Sequence, residues 1–350
     1  MSHILYIADQ GATLTKRGQR LVIQKAGQII HWLHAFQVDQ VVVMGNVSIT
    51  PGAIAFLLQQ GIDTVFMSFY GKYRGRLVSQ FGKNIELRRI QFDRFGDMEF
   101  RLALSRRYVQ GKIANCRVLL RRANRELMRD DITNALNRMR MMARMSETAN
   151  AVDMLMGMEG QAAAAYFGVF GKLIRTDDMV FDGRNRRPPK DPVNVLLSLG
   201  YTLLANAIET QVNVAGLDPY LGCLHGVDYG RPSLVLDLME EFRPVIVDSL
   251  VLMVINKRII RPTDFYRPSE REPAAFGFAE GEESHKDYPI LFTHEGMKKF
   301  IGQLEGRFQQ KVLYTPTGKQ LSYRDVFLEQ VRLLVRHLKG ESPYESFTVR

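Results

Sequence analysis

Short apolar runs broken by glycine and proline fill about the first 80 residues, and their length predicts strands rather than long helices. His3–Ala8, Thr13–Thr15, Arg20–Gln24, Val41–Met44, Thr64–Ser68 and Tyr73–Ser79 are the strand candidates, with Lys16-Arg17-Gly18 as a turn. Thr50-Pro51-Gly52 predicts a helix start. The Thr50 hydroxyl can accept a bond from an otherwise orphaned N–H, and Pro51 suits the first helical position. The helix would run over Ala53–Gln60 and stop at Gly61. After about residue 92 the texture changes to long stretches of Arg, Leu, Ala and Met. Phe95–Met145, broken only by Gly96 and Gly111, predicts two or more helices. Gly157–Phe170, Pro192–Val214, Glu295–Phe308 and Tyr323–Leu338 continue the helical pattern, and Ser233–Asp248 does so with a kink or break at Pro244. The polar stretch Thr263–Asp287 predicts a mobile loop. The fold class that follows is α+β. A β-rich domain over 1–85 and a linker over 86–97 lead to a larger all-α domain over 98–340, with the mobile loop at 262–288.

Composition fits a folded protein, with 46% hydrophobic and 24% charged residues in 350. No apolar stretch is long enough for a transmembrane helix, and the N-terminus lacks the basic start and cleavage pattern of a signal peptide. Two cysteines, Cys116 and Cys223, make neither a disulfide framework nor a structural zinc set, so a reduced, cytoplasmic protein is expected. The net charge of +10 narrows the picture further. Twelve Lys and Arg against three acids lie between Arg101 and Arg144, an excess of +9. Arginine dominates there, which suits forked contacts to phosphate, although a merely solvated basic face has the same composition. A polyanion, nucleic acid before membrane, is the expected partner.

One acid interrupts an otherwise uncharged stretch. From Met154 to Gly171 the only charged side chain is Glu159. A carboxylate in apolar surroundings must reach water or meet a cation. His225 lies in L-G-C-L-H-G-V-D-Y-G-R-P, and Asp237, Glu240 and Glu241 follow on a helix-like stretch. Glu159, His225 and Glu240 together make an oxygen-rich donor set that suits Mg²⁺ or Mn²⁺. Asp237 and Glu240 share a helix face, and Arg243, three further on, could reach a phosphate drawn to the ion. The plain alternative keeps Glu240 and Glu241 as surface acids and His225 as a satisfied loop histidine. In the segment R-N-R-R-P-P-K-D-P-V-N, Arg184, Arg186 and Arg187 sit in a proline-stiffened loop that could grip a DNA backbone, or simply face solvent. No Ser/His/Asp pattern, phosphate-binding P-loop or dinucleotide fingerprint is present.

At these residues the chain resembles the CRISPR-associated integrase, the first of the numbered CRISPR-associated proteins. The resemblance spans nearly the whole length. It rests on L-Y-I-A-D-Q-G, V-V-V-M-G-N-V-S-I-T-P-G-A-I, G-M-E-G-Q-A-A-A-A-Y-F, R-N-R-R-P-P-K-D-P-V-N, L-L-S-L-G-Y-T-L-L, L-H-G and D-L-M-E-E-F-R-P in that order. It implies an N-terminal β domain and a helical C-terminal domain, a homodimer, and a small ferredoxin-like adaptation partner. It also implies a divalent metal, Mg²⁺ or Mn²⁺, on Glu159, His225 and Glu240. Glu240 stands where relatives often have aspartate, Asp237 matches a supporting acid, and Arg243 stands where some relatives have lysine. The implied activity is insertion of captured double-stranded DNA into a repeat array by attack of a 3′-hydroxyl on a phosphodiester, with endonuclease activity on DNA. The rivals are a metal-dependent nuclease for branched DNA or RNA outside spacer acquisition, and a non-enzymatic nucleic-acid-binding scaffold.

Overall fold

The structure is a computed structural model that describes residues 3–69, 71–77, 84–185, 189–267 and 290–349. The chain divides into two compact units, Met1–Lys83 and Asn84–Arg350. It has the α+β architecture its pattern predicts.

The first unit runs β1 (His3–Ile7), β2 (Thr13–Arg17), β3 (Arg20–Lys25), β4 (Gln28–His34), β5 (Val38–Met44), β6 (Ser48–Ile49), α1 (Pro51–Gln60), β7 (Asp63–Met67) and β8 (Tyr73–Leu77). Two four-stranded sheets form, in the orders β1-β5-β7-β8 and β4-β3-β2-β6. In the first, β1, β5 and β7 are parallel and β8 is antiparallel. Leu14, Leu21, Val41, Val43, Phe56 and Leu57 belong to the core of this unit. Helix α1 begins and ends as its residues dictate. Thr50 Oγ1 accepts from the Ala53 N–H, and Gly61 closes the helix at φ 66, a conformation that costs glycine little. Strand β4 has no counterpart among the sequence candidates. Its Ile29, Ile30 and Trp32 are exposed, so it lacks the alternation that marks a half-buried strand.

The second unit runs α2 (Ile85–Gly96), α3 (Met98–Leu127), α4 (Asp130–Glu147), α5 (Val152–Phe170), α6 (Pro192–Ala215), α7 (Ser233–Met239), α8 (Ser249–Asn256), β9 (Phe265–Tyr266), β10 (Leu291–Phe292), α9 (His294–Gln309), β11 (Lys311–Tyr314), β12 (Lys319–Ser322) and α10 (Tyr323–Leu338). Three expectations are corrected here. The expected linker over 86–97 is helix α2, which buries Leu87, Gln91 and Phe95. Asn84 caps its start, and tertiary contacts tie it down: Gln91 donates to the carbonyls of Asp218 and Leu221 and accepts from the Asp218 N–H. The unit is not all-α, because β9 pairs with β10 and β11 with β12. The expected loop over 262–288 is structured at its start, where a 3₁₀ turn at Pro262–Asp264 leads into β9 and Asp264 is buried. Residues 268–288 lie outside the described residues.

The break expected at Pro244 has a specific form. Helix α7 stops at Met239, and the backbone widens into a π-helical turn over Arg243–Asp248 before α8. Pro244 has no N–H to donate, and the wider turn accommodates it. Glu240 and Arg243 therefore lie on an irregular joint rather than on a continuous helix.

Candidate catalytic site

Four segments of the second unit supply the side chains. Helix α5 carries Glu159, the joint after α7 carries Glu240 and Arg243, the loop before α7 carries His225, and α3 carries Lys112. Glu159 has its cation: Lys112 Nζ is hydrogen-bonded to Glu159 Oε1. The same ammonium lies 2.5 Å from Glu240 Oε2. Two carboxylates from elements far apart in sequence thus converge on one positive charge. Glu240 is not a surface acid, for its side chain is 4% exposed against 24% for Glu159. Burial acts to lower the Lys112 pKa, but Glu240 and Glu159 outweigh it and the net shift is upward. Burial acts to raise the Glu240 pKa, yet Arg243, Lys112 and His225 bring it down to about 2.

His225 is held from below by Asp237. This fully buried acid accepts from the backbone N–H groups of Cys223 at 2.6 Å, Leu224 at 3.0 Å and His225 at 2.9 Å. Its Oδ1 also lies 2.7 Å from His225 Nδ1. An acid already accepting three N–H groups is an acceptor for the ring as well, so Nδ1 carries a proton and Nε2 is the nitrogen turned away from Asp237. That Nε2 lies 3.9 Å from Glu240 Oε1. The loop reaches Asp237 closely only because position 222 is glycine. A Cβ there would sit 2.8 Å from Asp237 Oδ2 and 2.7 Å from the Ser233 carbonyl carbon.

Arg243 lies beside the acids, with Nη2 3.3 Å from Glu240 Oε1 and its guanidinium over the Tyr201 ring at 4.9 Å. Arg184 approaches the same ring at 5.4 Å. It also donates to Asn194 Oδ1 at 2.7 Å, to Ser198 Oγ at 3.1 Å and to the Asn185 carbonyl, which ties its loop to the start of α6. Arg186 and Arg187 lie outside the described residues. Close to the arginines, the Tyr201 and Tyr166 hydroxyls donate to Asp248 at 2.5 and 2.9 Å. Burial raises the Asp248 pKa to about 6 despite both bonds. Lys112, Glu159, Arg184, Tyr201, Arg243 and Asp248 share a cavity of about 510 Å³.

Lys112, Asp248, Tyr166 and Tyr201 are absent from the sequence candidates. Lys112 has one signal, since it is the only lysine among the twelve cations from Arg101 to Arg144. Glu241, next to Glu240, faces the other way and is fully buried, and burial raises its pKa to about 8.

Among the described residues, no group of three or more His, Cys, Asp and Glu stands arranged around a single metal position. The donor chemistry nevertheless fits a divalent cation. Glu159 and Glu240 converge on one point that a cation, the Lys112 ammonium, already holds, and the available His225 nitrogen lies on the Glu240 side. Two carboxylates are hard donors that suit Mg²⁺ or Mn²⁺, and the imidazole, a borderline donor, tilts the set toward Mn²⁺ or another transition ion.

The model of the family described as CRISPR associated protein Cas1 matches residues 5–276. The chain belongs to the CRISPR-associated Cas1 family. A Thermus thermophilus protein named CRISPR-associated endonuclease Cas1 3 is 38% identical over 350 residues, covering 99% of this chain and 97% of the relative. A Cas1 protein from Thermotoga maritima superposes with a TM-score of 0.80 at 25% identity, covering 99% of this chain and all of the other. A chain of a Cas6-RT-Cas1–Cas2 complex superposes with a TM-score of 0.82 at 25% identity over 100% of this chain, which spans 36% of that longer one. The Cas1 fold thus accounts for the β-rich start and the helical remainder. Among the described residues, no helix is long and apolar enough to cross a membrane.

Proposed function

We propose that this chain is a divalent-metal-dependent DNA integrase of CRISPR adaptation, which also acts as an endonuclease on DNA. The observation that carries this reading is the convergence of Glu159 and Glu240 on one cation position beside His225. Relatives named endonuclease and a structural neighbour in a Cas1–Cas2 complex support it.

In this reading the 3′-hydroxyl of a captured double-stranded fragment attacks a phosphodiester at the repeat boundary. One phosphodiester forms as another breaks; the attacking hydroxyl gives up its proton to solvent, and the displaced 3′-oxygen takes one up and leaves as a 3′-hydroxyl. Glu159, His225 and Glu240 would hold a Mg²⁺ or Mn²⁺ ion, which would lower the pKa of the attacking hydroxyl and neutralise charge at the transferring phosphorus. Asp237 keeps the His225 ring turned so that Nε2 is the nitrogen presented. Arg243 offers a second positive group to the phosphate, anchored by Glu240 and the Tyr201 face. The arginines of α3 and α4, together with Arg184, Arg186 and Arg187, contact DNA backbones and hold the strands without reading sequence. The assembly proposed is a homodimer joined to a small ferredoxin-like adaptation partner.

The test supplies a fragment with a free 3′-hydroxyl, a repeat-bearing plasmid, and Mg²⁺ or Mn²⁺. Joined products are expected from the native chain and none from Glu159→Ala or His225→Ala, with DNA binding largely kept in both. Products that are only shortened would favour a nuclease outside spacer acquisition. Tight, salt-sensitive DNA binding with no metal-dependent turnover would favour a scaffold.

A further inference from the structure

The chain beyond α10 returns to the site from behind. Residues 343–349 run without regular structure, and several of their anchors lie on α3 near Lys112 or on the joint that follows α7. On α3, Asn115 donates through Nδ2 to the carbonyls of Glu241 at 2.7 Å and Phe347 at 2.8 Å, and its Oδ1 accepts from the Val349 N–H at 3.0 Å. Ser346 Oγ donates to the Arg107 carbonyl at 2.7 Å. At Gly111 the tail leaves no room for a side chain, since a Cβ there would lie 2.5 Å from Ser346 Cβ and 3.5 Å from Glu241 Cβ. Gly111 and Asn115 bracket Lys112 on the helix.

The other anchor is Glu241. Its carboxyl group accepts from Gln330 Nε2 at 2.9 Å and the Tyr344 hydroxyl at 3.0 Å on Oε1, and from the Phe347 N–H at 2.9 Å on Oε2. Phe347 also stacks on Phe242, with ring centroids 5.3 Å apart and planes 20° apart. Residues 240 and 241 are consecutive, yet one carboxyl group meets Lys112 and the other meets the tail. Burying an acid is costly, and an apolar side chain would fill the same space at less cost. What the carboxyl group adds is direction. Three donors aimed at two oxygens fix the rotation of this turn, and with it where Glu240 points.

We propose that the C-terminal strap Tyr344–Val349 is a positioning element of the catalytic site, acting through Glu241 on Glu240 and through Gly111 and Asn115 on Lys112. The proposal rests on the reading of Glu159, His225 and Glu240 as the metal-holding set. Glu241 touches no reacting atom; it is a positioning residue.

The test uses the full chain carrying Glu241→Gln, and a chain ending at Glu341 with and without a peptide of residues 342–350. Two quantities are read beside thermal melting: Mn²⁺ affinity by electron paramagnetic resonance, and the strand-joining rate at saturating DNA set against DNA affinity. Glu241→Gln keeps size and loses the full acceptor set. A fall of roughly tenfold or more in Mn²⁺ affinity or joining rate is expected, with DNA affinity unchanged and the fold intact at the assay temperature. The peptide is expected to restore the truncated chain. Native Mn²⁺ affinity and joining rate in Glu241→Gln would overturn the proposal, as would a loss that DNA affinity alone accounts for. If the truncated chain does not fold, Glu241→Gln decides by itself. Failure of the native chain to join DNA would defeat the integrase reading instead, and the Mn²⁺ titration would then decide the role of the strap.

Discussion

Asp237 Oδ1 meets both the backbone N–H and the ring Nδ1 of His225, at 2.9 and 2.7 Å. One oxygen therefore sets the position of the residue and the orientation of its ring. The cost of burying Asp237 is offset by four donors.

Replacing Asp237 by Asn puts an amide among groups that all donate. A stability loss of about 1–3 kcal/mol is expected from the broken bonds. Metal-dependent joining should fall by about 10- to 100-fold, because the ring is no longer held in one tautomer and one pose. Urea melts and the joining assay measure the two effects separately. Unchanged joining would show that His225 needs no support from Asp237.

Lys112 occupies the point where Glu159 and Glu240 converge. Lys112→Ala leaves Glu159 without its cation and Glu240 with Arg243 alone, and a loss of about 3 kcal/mol is expected in metal-free buffer. A divalent ion should recover more stability in this variant than in the native chain, because it replaces the missing charge and stabilises the folded state by binding it. The check is the rise in melting temperature on adding Mn²⁺. An equal rise in both proteins would show that the ion binds elsewhere.

Asp248 gives the protein a pH dependence of known sign. Burial raises its pKa from the ordinary 3.8 to about 6, so between those values the folded state holds a proton that the unfolded state has lost. This contribution is fully present below about pH 4 and is lost as pH rises through about 6. Asp248→Asn has no such proton to lose. The melting temperature of the variant relative to the native chain should therefore climb as pH rises from 4 to 7, whatever constant offset the altered tyrosine bonds impose. A difference that stays flat over this range would contradict the burial argument.

Legibility differs from element to element for physical reasons. The caps of α1 are readable because Thr50, Pro51 and Gly61 act within a few residues of themselves. The end of α6 is set just as locally, by Gly216 at φ 84. Helix α2 reads as a linker in the sequence because its burial depends on Gln91 meeting a loop more than a hundred residues away. Lys112 is hidden by a run of arginines, and its role exists only once α5 and the joint after α7 have come beside α3.

By itself, the amino-acid order determined the α+β class, the main helices and the break at Pro244, since these follow from short-range spacing and backbone chemistry. It also marked Glu159 as an acid that must find water or a cation. Which cation that is, and which of the adjacent Glu240 and Glu241 meets it, only the tertiary structure decided. Both answers depend on charges and donors brought together from distant segments, where desolvation makes each pairing matter far more than it would in the unfolded chain.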